Sequence, residues 1–196
     1  SGAGSLGVRA LQTGLALRGR RSPRGTAQEF ATFETWADEL FARCIPRYRA
    51  LACRDASTMN ALLPTGRWPN AIQLRVTRGS ETLGWAVVFD TQMQDDPRFG
   101  SLRVGSVVDA LALPEHAEAV VGAAVRTLHA RGVDIIFSNQ AHPDWVAGFA
   151  AHGFLILPDR RALAASPKLA EALAPFDEVK QGLHLTNMDG HGPMQL

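Results

Sequence analysis

The stretch from Ser101 to Phe154 constrains the fold more than any other, because four elements follow one another there with little slack. Leu102 to Leu113 is rich in Val and Leu and reads as a strand with one acid, Asp109, inside it. Pro114 ends that run, since proline has no N–H to give a central ladder. From about His116 to Arg131, residues Ala117, Val120, Val121, Ala124, Val125 and Leu128 recur at the spacing of one helical face. Gly132 suits a helix terminus, and Val133 to Phe137 reads as a short buried strand. Asp144 to His152 is a second, shorter helix, closed by Gly153 and Phe154. Strand, helix, strand, helix predicts a right-handed crossover between neighbouring parallel strands. The loop Pro114 to Ala119 then lies at the carboxyl end of the sheet, where ligands usually bind.

Upstream, Thr26 to Phe33 reads as a short first strand. Phe33, Trp36, Ala37, Leu40, Phe41 and Cys44 share helical spacing within Phe33 to Tyr48, and Glu34 or Thr35 serves the first turn. Pro46 stops that helix. Asp55 to Leu63 is a second helical piece capped by Asp55 or Ser57. Ala71 to Thr77 alternates like a half-buried strand, Arg78 to Glu81 makes a turn, and Leu83 to Phe89 is the partner strand. Beyond Phe154 come a short strand (Leu155 to Pro158), a helix around Pro167 to Leu173, a last strand within Gly182 to Thr186, and a polar tail.

Length and charge narrow the function classes. A chain of 196 residues, 46% hydrophobic and 20% charged, suits one globular domain with an appended segment. We divide it into a basic segment, 1–25, and a domain, 26–196. The first carries five arginines and no acid, with Arg18, Arg20, Arg21 and Arg24 clustered. It reads as a linker or remnant of something upstream, or else as a nucleic-acid or anionic-membrane contact. A net charge of +1 argues against binding nucleic acid through bulk charge. No apolar run reaches the roughly 18 residues of a membrane span, and no complete signal peptide is visible, so a cytoplasmic setting is expected. Cys44 and Cys53 lack metal-type spacing and read as reduced structural thiols. Neither a Ser-His-Asp pattern, a phosphate-binding Gly-x-x-x-x-Gly-Lys loop nor a zinc signature is present.

The run VVDALALP, its following helix and strand, and the closing HGF resemble the central part of the GNAT superfamily of acyl-CoA-dependent N-acyltransferases. YRALACRDASTMNALLP is similar to the Arg-Asp-x-x-x-x-Asn stretch of GNAT-like proteins from polysaccharide and cell-wall loci, and LHLTNMDGHGP to their closing Thr-x-x-Asp-x-x-Gly-Pro. The resemblance implies a GNAT-like mixed, twisted α/β sheet of six to seven strands with helices on both faces. Its two central strands part where Leu102–Leu113 and Val133–Phe137 diverge. It further implies acetyl-CoA or another acyl-CoA as cofactor, an amine as acceptor, and a homodimer or a tandem GNAT half as possible partner.

The same resemblance implies the site residues. Backbone groups of Ala110, Leu111, Ala112 and Leu113 would hold the donor's arm, with Asn139 reaching it through its amide or else capping the next helix. Ala117, Glu118, Ala119, Val120, Val121 and Gly122 would receive the pyrophosphate at a helix N-terminus, where orphan N–H groups and the dipole favour anions. The family's loop here is Arg-Gly-x-Gly-x-Gly; in register from Pro114 its Arg falls on Ala117 and its glycines on Glu118, Val120 and Gly122, of which Gly122 alone is glycine. Glu118 adds a like charge worth roughly 1 kcal/mol of repulsion, and otherwise reads as an ordinary first-turn acid. Asp109 would be the base, with burial raising its pKa, or else a structural carboxylate. The usual acid is a Tyr where this chain has Phe149, so His152, His142 or His116 would stand in. His184, Asp189 and His191 suit a metal ion or a plain polar tail, and no metal is expected. The leading function is thus acyl transfer from acyl-CoA to an amine. The alternative is a catalytically silent GNAT-like module for ligand binding or dimerisation.

Overall fold

The computed structural model describes residues 25–157, 166–179 and 182–190; the basic segment up to Arg24, Pro158 and His191 lie outside these. In chain order the elements begin β1 (Thr26–Phe30), α1 (Thr35–Cys44), β2 (Ala50–Leu51), α2 (Ala56–Leu62), β3 (Ala71–Arg78) and β4 (Glu81–Gln92). There follow β5 (Arg103–Ala112), α3 (Ala117–Ala130), β6 (Ile135–Ser138) and α4 (Pro143–Ala151). The last are α5 (Pro167–Ala172), α6 (Phe176–Val179), β7 (Leu183–His184) and α7 (Asn187–Gly190).

Five strands form one sheet in the order β1-β3-β4-β5-β6, antiparallel up to β5 and parallel between β5 and β6. With the separate pair β2 and β7 the described residues hold seven strands. The expected mixed α/β sheet is present with five strands, and the other two stand apart from it as a pair. Alternation along β4 puts helices on both its faces. A Cβ on Gly84 would lie 2.7 Å from Val120 of α3, whereas Trp85 meets Phe33, just before α1, ring to ring at 5.1 Å. α3 is buried nearly all round in its first half, including Ala117, Ala119, Val120, Val121 and Gly122, because the sheet covers one side and α4 the other.

Two features of β5 position the site. It pairs with β6 only from Val104 to Val107, so the strands part there and Val108 to Ala112 run on without β6. On its other side the register slips: Val107 faces Val88 and Asp109 faces Val87, leaving Val108 as an extra residue. Without this bulge, Asp109 would share the α3 face with Val107; with it, Asp109 turns to the face of α1 and α2.

The C-terminal third departs from expectation. Residues 154–157 form no strand, and Leu155 is 84% exposed. The last strand shrinks to Leu183–His184 and pairs in parallel with β2, a strand too short for any periodicity to announce. The first part of the expected polar tail is the helical turn α7.

Candidate active site

Asp55 caps α2 by accepting a 2.7 Å bond from Thr58 N–H, which fixes the residue before it, Arg54, against the sheet. Arg54 Nε donates to both carboxylate oxygens of Asp109 at 3.1 and 3.2 Å. Its Nη2 donates to Asp189 Oδ2 at 2.7 Å and Thr186 Oγ1 at 3.1 Å, and Nη1 to the Ala52 carbonyl at 3.2 Å. Asp109 Oδ1 also accepts from the Ala110 N–H at 2.9 Å. Thr186 N–H donates to Asp189 Oδ2 at 2.9 Å, which pins α7 to the cluster. The side chains of Arg54, Asp109 and Asp189 are 2%, 1% and 16% exposed.

Charge and burial compete here. Burial pushes the Asp109 carboxyl up to about 6, opposed by Arg54 and reinforced by the Asp189 charge. Burial also works against the Arg54 charge, yet the two carboxylates outweigh it and hold its pKa above the ordinary value. Fully ionised, the cluster carries one net negative charge. A cleft of about 270 Å³ opens over it, with Met59, Leu62 and Met188 apolar and Cys53 and Thr58 polar in its lining. A net negative floor of this kind favours a cation over an anion in the cleft.

The other expected residues lie elsewhere. His152 ends α4 and rests on α3, where a Cβ on Gly122 would come within 2.6 Å of its Nε2. Its pKa is lowered by burial, against the backbone and charge of Glu118. Since α3 covers the face opposite Asp109, the structure does not bring His152 and Asp109 together. Phe149 is buried against Phe154. His142, not Asn139, caps α4, accepting from Asp144 N–H at 3.3 Å, and its pKa is lowered by burial. His116, half-buried, lies 3.8 Å from the exposed Glu81. Cys44 is buried, its thiol pushed up to about 12, and Cys53 is exposed. Among the described residues no group of three or more acids, histidines or cysteines suits a metal ion, and no helix is long and apolar enough to cross a membrane.

Neither half of the expected donor site is open. A helical turn, Pro114–His116, precedes α3, and the Ala117 N–H donates back to Pro114 within it. A Cβ on Gly148 of α4 would lie 3.3 Å from the Glu118 nitrogen, so α4 sits directly on the first turn of α3. On β5, Tyr48 donates its hydroxyl to the Ala112 carbonyl at 2.7 Å, and Trp145 Nε1 donates to Tyr48 at 3.0 Å. His184 lies by the Ala110 carbonyl, 0% exposed, with neither ring nitrogen in a well-formed hydrogen bond. This conformation does not fit a CoA arm or its pyrophosphate. Tyr48, Arg54, Thr186 and the bulge at Val108 are the parts that sequence reasoning missed, and Asp189 was read there only as a metal ligand or part of a polar tail. The Arg-Asp and Thr-x-x-Asp stretches already quoted were the available signal for three of them.

No family model matches the chain, and no curated protein matches it. Among solved structures, an aminoglycoside acetyltransferase from an uncultured soil metagenomic sample, determined with sisomicin, is 10% identical with a TM-score of 0.46, covering 72% of this chain and 95% of its own. A ribosomal-protein-alanine N-acetyltransferase from Brucella melitensis biovar Abortus 2308 is 14% identical at a TM-score of 0.45, covering 74% and 99%. An integron cassette protein from the mobile metagenome of Cole Harbour Salt Marsh is 18% identical at 0.43, covering 71% and 89%. With identities of 10% to 18% and TM-scores of 0.43 to 0.46, these likenesses say nothing of what this chain binds or does.

Proposed function

We propose that the protein is an N-acyltransferase, moving an acyl group from a thioester donor of the acyl-CoA kind to an amine held in the cleft over Asp109. The observation that supports this reading is the carboxylate of Asp109 on the cleft floor, raised to about 6 by burial. A proton acceptor poised near working pH suits deprotonation of an ammonium ion. The amine enters as a cation, drawn by the net negative cluster. Asp109 takes one proton, and Arg54, bonded to both its oxygens, keeps the carboxylate oriented. The freed lone pair then faces the cleft. Attack by that nitrogen on the donor's acyl carbon forms the amide as the C–S bond breaks, and the nitrogen's surplus proton goes to the departing sulfur.

One observation favours a second reading, a silent module that binds a ligand or a second copy: the closed donor side of β5. Thiol release from acetyl-CoA with a panel of primary amines separates the two. Under the first reading wild type releases thiol, with a rate that rises with pH through about 6, and Asp109→Asn falls at least about a hundredfold while losing that pH step. Amine binding by calorimetry without thiol release from any amine selects the silent module.

A further inference from the structure

The gap where β5 leaves β6 is filled from within the chain. Leu183 to Leu185 pass between the ends of these strands: His184 lies by the Ala110 carbonyl on one side, and the Leu185 carbonyl accepts from the Ala141 N–H at 3.1 Å on the other. Asn139 Nδ2 is 3.4 Å from Asn187 Oδ1. So Ala110 and Asn139, two of the groups expected to hold a donor arm, face residues of one short segment, 182–190. Tyr48 occupies a third, Ala112.

Leu183, His184 and Thr186 are buried and Arg54 bonds both Thr186 and Asp189, but the backbone pairing of this segment is short. Its ladder to β2 is two residues long, with one further backbone bond from Arg49 N–H to the Gly182 carbonyl at 3.0 Å. His184 is wedged among Tyr48 and Trp145, with ring centroids 4.8 and 5.7 Å away, and is wholly buried. Its ring fills the gap, so truncating it leaves a cavity and loosens the segment. The strongest tether is Asp189 to Arg54, the residue that also holds Asp109.

We propose that residues 182–190 form a removable strap, which closes the donor side of the active site in the free protein and leaves it when the donor's arm takes its place. This rests on the N-acyltransferase reading above. Release of the strap withdraws Asp189 from Arg54, leaving the guanidinium to Asp109 alone, so donor entry and the base are coupled through one side chain. A strap shut about ten times more often than open lowers apparent donor affinity by about the same factor.

The test uses the full chain and coenzyme A. Calorimetry measures affinity in wild type and His184→Ala, and amide hydrogen exchange follows residues 182–190 in the unmodified protein. The expected result is exchange at least about tenfold faster in 182–190 at saturating coenzyme A, and affinity about five- to tenfold tighter in His184→Ala. Binding by the variant but not by wild type also supports the strap, as one held more firmly shut. Binding by wild type with exchange in 182–190 unchanged or slower overturns the strap and leaves the acyltransferase reading standing. Absence of binding by both proteins overturns the donor reading, and the strap with it.

Discussion

Asp109 and Arg54 are a buried ion pair made by one arginine and two acids, and their energetics follow from that imbalance. Removing Arg54 leaves two carboxylates facing each other in a site where one is 1% exposed. We predict that Arg54→Leu destabilises the fold by about 3–5 kcal/mol, because an uncompensated buried charge costs more than the pair contributes. Arg54→Leu combined with Asp109→Leu should recover a large part of that loss. Urea unfolding of the two single variants and the double one checks the coupling, and additive losses would contradict it. At this scale the sequence singled out Asp109, as the one acid in an apolar strand, but not the face to which it points. That face depends on Val108 standing out of register, a choice made between β4 and β5 and written in neither strand alone.

At the scale of elements, close packing is where the small residues matter. Gly84 of β4 lies under the last residues of β5, and an added Cβ would come within 2.5 Å of the Leu111 carbonyl and 2.8 Å of the Ala112 side chain. Two of these neighbours are backbone or backbone-bound, so they cannot swing aside. Gly84→Ala is therefore expected to cost about 2–3 kcal/mol, seen as a fall of roughly 5–10 °C in Tm. Gly122 and Gly148 serve α3 and α4 similarly, letting His152 rest on one and the Glu118 backbone on the other. The family resemblance made Gly122 a candidate phosphate contact. The structure puts an imidazole over it. Helices and long strands were legible because their apolar spacing repeats several times; β2 and β7, at two residues each, carry no repeat to read.

For the whole molecule, buried titrating groups set the response to acid. His142, His152 and His184 are all lowered by burial, His184 from 6.5 to about 3. Such groups take up protons first in the unfolded chain, so their contribution is complete above about 6.5 and is lost as pH falls. Asp109 acts in the opposite sense. Raised from 3.8 to about 6, it keeps a proton in the folded protein between these values, so its contribution is complete below 3.8 and lost as pH rises through 6. Wild type should lose stability from pH 7 to 5, and Asp109→Asn should lose it more steeply, by about 1.4 kcal/mol per pH unit between pH 6 and 4. Urea midpoints across that range check it, and parallel curves would mean that Asp109 is not raised. The sequence by itself determined the order of the longer elements and the crossover, since spacing, proline and glycine act locally along the chain. The tertiary structure alone decided the site. Arg54 meets Asp109 across 55 residues and Asp189 across 135, and His184 reaches the open flank of β5 from a strand two residues long. Contacts of that range form only when the sheet brings distant segments together, and no local pattern encodes which side chain will meet which.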